Sequence, residues 1–105
     1  MRLEFFVLFT IVCTVPPSIA FSQNINGAVI ANTCAGCHGT YGASVDTKIP
    51  PLAGQNTDEL VSTMLAYRDG SRKGTVMNRV AKAYSDEEIQ AIAEYFAGFP
   101  KENSE

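Results

Sequence analysis

Histidine is nearly missing from this chain: its 105 residues hold one, His38. With no second cluster of cysteine and histidine, a four-ligand zinc site cannot be completed. Long apolar runs are also missing. The longest, from Phe5 to Val15, is about half of the ~20 residues that a spanning helix needs. Nothing later in the chain is apolar enough to cross a bilayer. No stretch alternates with period two, so no strand is expected, and there is no internal repeat. Excess positive charge is absent too: the formal net charge is -3, which argues against nucleic acid as a general partner.

What the first residues do contain is an ordered series. Arg2 precedes the apolar block, Pro16-Pro17 breaks it, and Ser18-Ile19-Ala20 supplies small residues. This is the order of a secretory signal peptide, 1–20, with cleavage near 20–22, and it implies a periplasmic mature protein. A retained membrane anchor is the alternative, and Glu4 dilutes the positive start. Cys13 lies inside the apolar block and leaves with it, because Thr10-Ile11-Val12 lacks the small residues of a lipoprotein site. The mature domain, 21–105, then keeps Cys34 and Cys37 in an oxidising compartment. A domain of about 85 residues buries a thin core and needs a staple. Two cysteines with two residues between them are a poor one, since the closed loop removes little chain entropy. Size alone therefore favours a bound cofactor.

Three main helices are expected. The first spans about Gln23–Thr33, with Ile25, Ala28, Val29 and Asn32 at helical spacing and Ser22 or Asn24 as cap. Gly27 falls inside it at a cost of about 1 kcal/mol relative to Ala, which points to close approach of another backbone. The second spans about Thr57–Asp69, capped by Asn56 with Glu59 at the third position and stopped by Gly70. Leu60, Met64 and Tyr67 form its apolar stripe, flanked by Val61 and Leu65. The third starts at Ser85, with Glu88 completing a capping box, and ends at Gly98 and Pro100. Its apolar face is Ile89, Ile92, Ala93 and Phe96. Two long stretches, Gly39–Gln55 and Ser71–Tyr84, read as irregular, and loops that long in a small domain wrap something or do something.

"CAGCH", Cys34 to His38, is the signature of covalent haem c attachment, one group per chain. Cys34 and Cys37 stand about one helical turn apart, so both sulfurs can reach the two vinyl groups on one porphyrin edge. His38 follows at once and can swing under the ring to ligate iron. A zinc site, a thioredoxin-like redox pair and a plain disulfide are the competing readings. Zinc lacks ligands, and the redox pair lacks its βαβ setting. With no second histidine, methionine is the usual sixth ligand of an electron carrier. Met77 is the expected one, 39 residues after His38 in an irregular stretch. Met64, a lysine or an open position remain as alternatives, Met64 fitting the apolar stripe as a core residue. A Met/His pair leaves no position for substrate, which is outer-sphere electron transfer and not catalysis.

"CAGCH", "IPPLAGQ", Met77 and "YSDEEIQAIAEYFA", in that order, resemble a small class I cytochrome c of bacterial type from about Asn24 to Phe99. The resemblance implies an all-α fold with three main helices and long loops wrapped around the haem. It implies that Pro50 offers its carbonyl to the Nδ1–H of His38, that Leu52 packs on the haem, and that Tyr95 lies against the first helix near Gly27. A bare rigid turn is the other reading of Pro50-Pro51. More narrowly, "CAGCHGTYGAS" with "MNRVAKAYSDEEIQAIAEYF" is similar to the haem subunit of flavocytochrome c sulfide dehydrogenase. That likeness implies docking on an FAD-containing, sulfide-oxidising flavoprotein whose electrons it accepts. A free soluble carrier to a terminal oxidase or another redox partner is the alternative. An open-site haem enzyme or sensor is a third, with Arg79, Tyr67 or Tyr84 as its few distal candidates.

Charge is uneven. Arg68, Arg72, Lys73, Arg79 and Lys82 cluster around Met77, opposed there only by Asp69. The rest of the mature chain is acidic, so this segment is placed to steer an acidic partner toward the haem edge. The bland reading is a solvated loop.

Overall fold

The computed structural model describes residues 24–101. The expected signal segment, 1–20, its cut near 20–22 and Cys13 lie outside the described residues. Four helices run in the order α1 (Gly27–His38), α2 (Thr57–Asp69), α3 (Met77–Val80) and α4 (Asp86–Ala97), and the described residues contain no strand.

Capping sets where the three long helices begin. Asn26 Oδ1 accepts the Ala28 N–H, Asn56 Oδ1 the Glu59 N–H, and Ser85 Oγ the Glu88 N–H. Glu88 returns the favour by accepting the Ser85 N–H at 2.8 Å, which closes a full capping box. Asp86, Glu87 and Glu88 also place negative charge on the first turn of α4, where the helix dipole favours it. Gly70, at φ 85°, takes the left-handed turn that stops α2.

The first helix is displaced from its expected place. It starts at Gly27, is capped by Asn26 and runs through His38, where Gln23–Thr33 with Ser22 or Asn24 as cap was expected. Asn26 fits the cap as well as its neighbours do by type, so residue type alone does not choose among them. Gly27 is therefore the first helical residue and escapes the penalty of a helix interior. The close approach is present: a Cβ on Gly27 would stand 2.3 Å from the Ala91 carbonyl oxygen of α4. Ala91 thus meets Gly27, and Tyr95 sits one turn further on, partly buried beside Ala31, Ile92 and Phe96.

These three residues, one from α1 and two from α4, form the centre of the core. Ile89, Ala93, Ala53 and Ala81 are the other buried apolar residues. Burying a side chain such as Phe96 or Ile89 contributes roughly 1.5–3 kcal/mol. The α2 stripe behaves differently. Leu60, Val61, Met64, Leu65 and Tyr67 are all half-buried, and no residue of α2 is fully covered by protein.

Neither long loop is wholly irregular. The first opens with a 3₁₀ turn, Thr40–Gly42, and the second holds α3 and a 3₁₀ turn at Ala81–Ala83. Single turns carry no apolar period, so spacing does not reveal them. The first loop is drawn inward at Gly42, whose carbonyl accepts both the Leu52 and Ala53 N–H groups. Gly42 has φ 80°, and a Cβ there would stand 2.8 Å from Phe96 Cδ1. Gly54 N–H then bonds to the Phe96 carbonyl at 2.9 Å, fastening the loop's far end to α4.

Candidate functional site

Cys34, Cys37 and His38 occupy the last turns of α1, and the helix continues through all three. Cys34 is half-buried and packs against the Ala31–Ile92–Phe96 cluster, whereas Cys37 faces solvent. Burial pushes the Cys34 thiol up; its contact with Thr33 offsets part of this, and Cys37 adds a smaller push. Both thiols are free, and one helical turn separates them.

His38 is buried, with 9% of its surface exposed. Its Nδ1 lies 2.7 Å from the Pro50 carbonyl oxygen. A carbonyl can only accept, so Nδ1 carries a proton, and in the neutral imidazole Nε2 keeps its lone pair. The ring is thus held in the tautomer that a metal requires, by a partner from the opposite side of the first loop. Pro50 can do this because the Leu52 N–H bond to the Gly42 carbonyl, two residues after Pro50, draws the loop back. Leu52 is partly buried against the same cluster that receives Cys34. Cys34, Cys37, His38, Pro50 and Leu52 are therefore brought together by α1 and the first loop.

Met77 belongs to the second long loop. It opens α3, which packs on α2, and it is half-buried, as is Met64 on α2 itself. Met64 was expected in the core, yet it does not join the core cluster. The side chain of Asn78, which the sequence reading passed over, donates to the carbonyls of Tyr67 and Arg72 and accepts the Gly74 N–H. Its partners are three backbone groups, and no residue type at those positions announces them. Tyr84 was also missed as a structural link. Its hydroxyl donates to Thr33 Oγ1 at 2.6 Å, because the Thr33 hydroxyl proton is already given to the Ile30 carbonyl. The bond ties the end of the second loop to the residue before Cys34.

The donor set fits a covalently held haem better than its competitors. Two thiols one turn apart, an imidazole with a free Nε2 and a half-buried apolar stripe on α2 are what a flat, apolar, iron-bearing ring needs. Among the described residues, no group of three or more His, Cys, Asp or Glu side chains is placed to hold a metal ion, so Cys34, Cys37 and His38 do not converge as zinc ligands. No helix of the described residues is long and apolar enough to cross a membrane.

Residues 26–96 match the family described as cytochrome C oxidase, cbb3-type, subunit III. The chain is 39% identical over 87 residues to the cytochrome subunit of sulfide dehydrogenase of Chlorobaculum tepidum, covering 83% of this chain and 78% of that protein. It is 33% identical over 95 residues to cytochrome c-553 of Nitratidesulfovibrio vulgaris, covering 87% and 93%. It is also 46% identical over 67 residues to the thiosulfate dehydrogenase electron acceptor of Stutzerimonas stutzeri, of which it spans 31%.

Proposed function

The chain belongs to the cytochrome c family, and from that membership we propose that it works in the periplasm as the haem subunit of a sulfide-oxidising flavoprotein complex. It is an electron-transfer protein with covalently bound haem c, and not an enzyme. The likeness to the sulfide dehydrogenase cytochrome, over most of both chains, supports the complex. Residues 1–20 act as the export signal in this reading. A free soluble carrier is the second reading, favoured by the near full-length likeness to cytochrome c-553.

Cys34 and Cys37 hold the haem through thioethers, and His38 Nε2 is its proximal ligand. The observation that carries this assignment is the His38 Nδ1–H bond to Pro50, which fixes the ring and leaves Nε2 for the iron. Leu52 would pack against the ring, and Met77 would supply the second iron ligand. Bound there, haem contributes a one-electron change at iron. The protein's part is to keep the coordination the same in both oxidation states, so that little has to rearrange when the electron moves. Four exposed cations around Met77 (Arg72, Lys73, Arg79 and Lys82) draw in an acidic partner surface. Arg68 is not among them, since its guanidinium bonds to Asp86 and to the Tyr84 carbonyl.

The test is an absorption spectrum of protein exported with haem-attachment machinery. Sharp low-spin bands on reduction and a weak far-red band on oxidation are expected from a His/Met pair. Met77→Ala should abolish the far-red band and Met64→Ala should keep it. The reverse pattern would transfer the ligand role to Met64, and a high-spin spectrum would mean an open site. Co-purification with an FAD-containing protein distinguishes the subunit from the free carrier.

A further inference from the structure

Helix α3 is a weak platform for an iron ligand. It has four residues and no side-chain cap, and isolated helices shorter than ~12–15 residues are marginal in water. Val76, just before Met77, is 61% exposed, and Val80, one turn later, is 37% exposed, so the core does not hold this turn from either end of α3. Burial resumes only at Ala81. The methionine thioether is at best a weak acceptor and cannot place itself.

The amide of Asn78 does what the helix cannot. Nδ2 has two protons and gives them to the Tyr67 carbonyl at 2.8 Å and the Arg72 carbonyl at 2.7 Å. Oδ1 accepts the Gly74 N–H at 2.9 Å. Flipping the amide would set oxygen against two carbonyls and nitrogen against an N–H, so the orientation is determined. The Tyr67 carbonyl belongs to the last turn of α2, where the helix has no partner for it. Asn78 thus joins the end of α2, the loop 71–76 and the start of α3. Gly74 lets them close up, since a Cβ there would stand 2.9 Å from Tyr67 Cε1 and 3.6 Å from Met77 Cβ.

We propose that Asn78 is a positioning residue for Met77: its amide, bonded to Tyr67, Arg72 and Gly74, fixes the backbone that presents the thioether to iron. The proposal rests on the reading of Met77 as the sixth ligand. It also makes the loop bearing Arg72 and Lys73 move together with the ligand, because one side chain holds both.

The test uses the haem-loaded protein and imidazole as a competing ligand. Asn78→Ala removes all three bonds, and Asn78→Asp keeps the shape but faces two carbonyls with oxygen. Both should bind imidazole about tenfold more tightly than the wild type, a factor that corresponds to ~1.4 kcal/mol and lies within what three lost net hydrogen bonds supply. Ser85→Ala, which loosens α4 away from Met77, is the control: it should lower the melting temperature and leave imidazole binding unchanged. If the Asn78 variants bind imidazole as the wild type does, the proposal is overturned. Wild-type protein gives an independent reading, whatever the variants do. Displacing the methionine with imidazole should speed Gly74 amide exchange and spare the Glu88 amide; unaltered Gly74 exchange overturns the proposal. A wild-type far-red band that survives Met77→Ala would overturn the ligand reading instead, and the proposal with it.

Discussion

Two glycines of α1 make a matched pair with opposite demands. Gly27 has the Ala91 carbonyl against it, while a Cβ on Gly36 would meet nothing within 4 Å. Gly27→Ala sets a methyl against backbone, which cannot rotate away, and should cost about 2–3 kcal/mol in denaturant unfolding of the haem-loaded protein. Gly36→Ala adds a methyl that meets no protein atom, within a helix, and should gain about 0.5–1 kcal/mol. Equal effects of the two substitutions would mean that the α1–α4 crossing is looser than described. The need for a small residue at 27 was legible, because a glycine in a helical pattern asks for a reason. Its place at the helix start was not, since Ser22, Asn24 and Asn26 are all capable caps. At the site, the spacing of Cys34, Cys37 and His38 carries its chemistry openly, and the order of motifs pointed to Pro50. Asn78 was invisible, because side chain to backbone bonds across a loop leave no pattern of residue types.

Helices declare themselves when their ends are chemical and their faces periodic. Both hold for α2 and α4, whose caps and bounds could be read in advance, and neither holds for α3, a single turn. The cap of α4 has a measurable weight. Ser85→Ala removes the acceptor for the Glu88 N–H and should lower stability by about 1 kcal/mol, or some 4–8 °C in melting temperature for a domain of this size. Arg68 extends the element's reach, since one guanidinium joins the last turn of α2 to the Tyr84 carbonyl and to Asp86 beside the cap. The half-burial of the α2 stripe belongs at this scale too. Its 3.6-residue period was legible, but what completes its cover was not, since no arrangement of apolar positions names a partner.

Across the whole molecule, charge is divided between a basic surface around α3 and acidic first turns on α2 and α4. If the basic surface guides an acidic redox partner, reduction by that partner should slow steeply as salt rises, because exposed charges are screened over ~10 Å at 0.1 M. Arg79→Glu should slow it further at low salt, by about tenfold or more in association rate, and have little effect at high salt. A rate indifferent to salt and to Arg79→Glu would remove the surface from any part in docking.

The crossing of α1 and α4 also sets an order in time. Ala31 lies near the beginning of the described chain, and Ile92 and Phe96 lie near its end. An exported chain brings them across the membrane more than fifty residues apart, and until the later two arrive Ala31 lacks its α4 partners. Through most of export the Cys34–His38 stretch therefore stays open to whatever must reach it, and the arrival of α4 shuts the door.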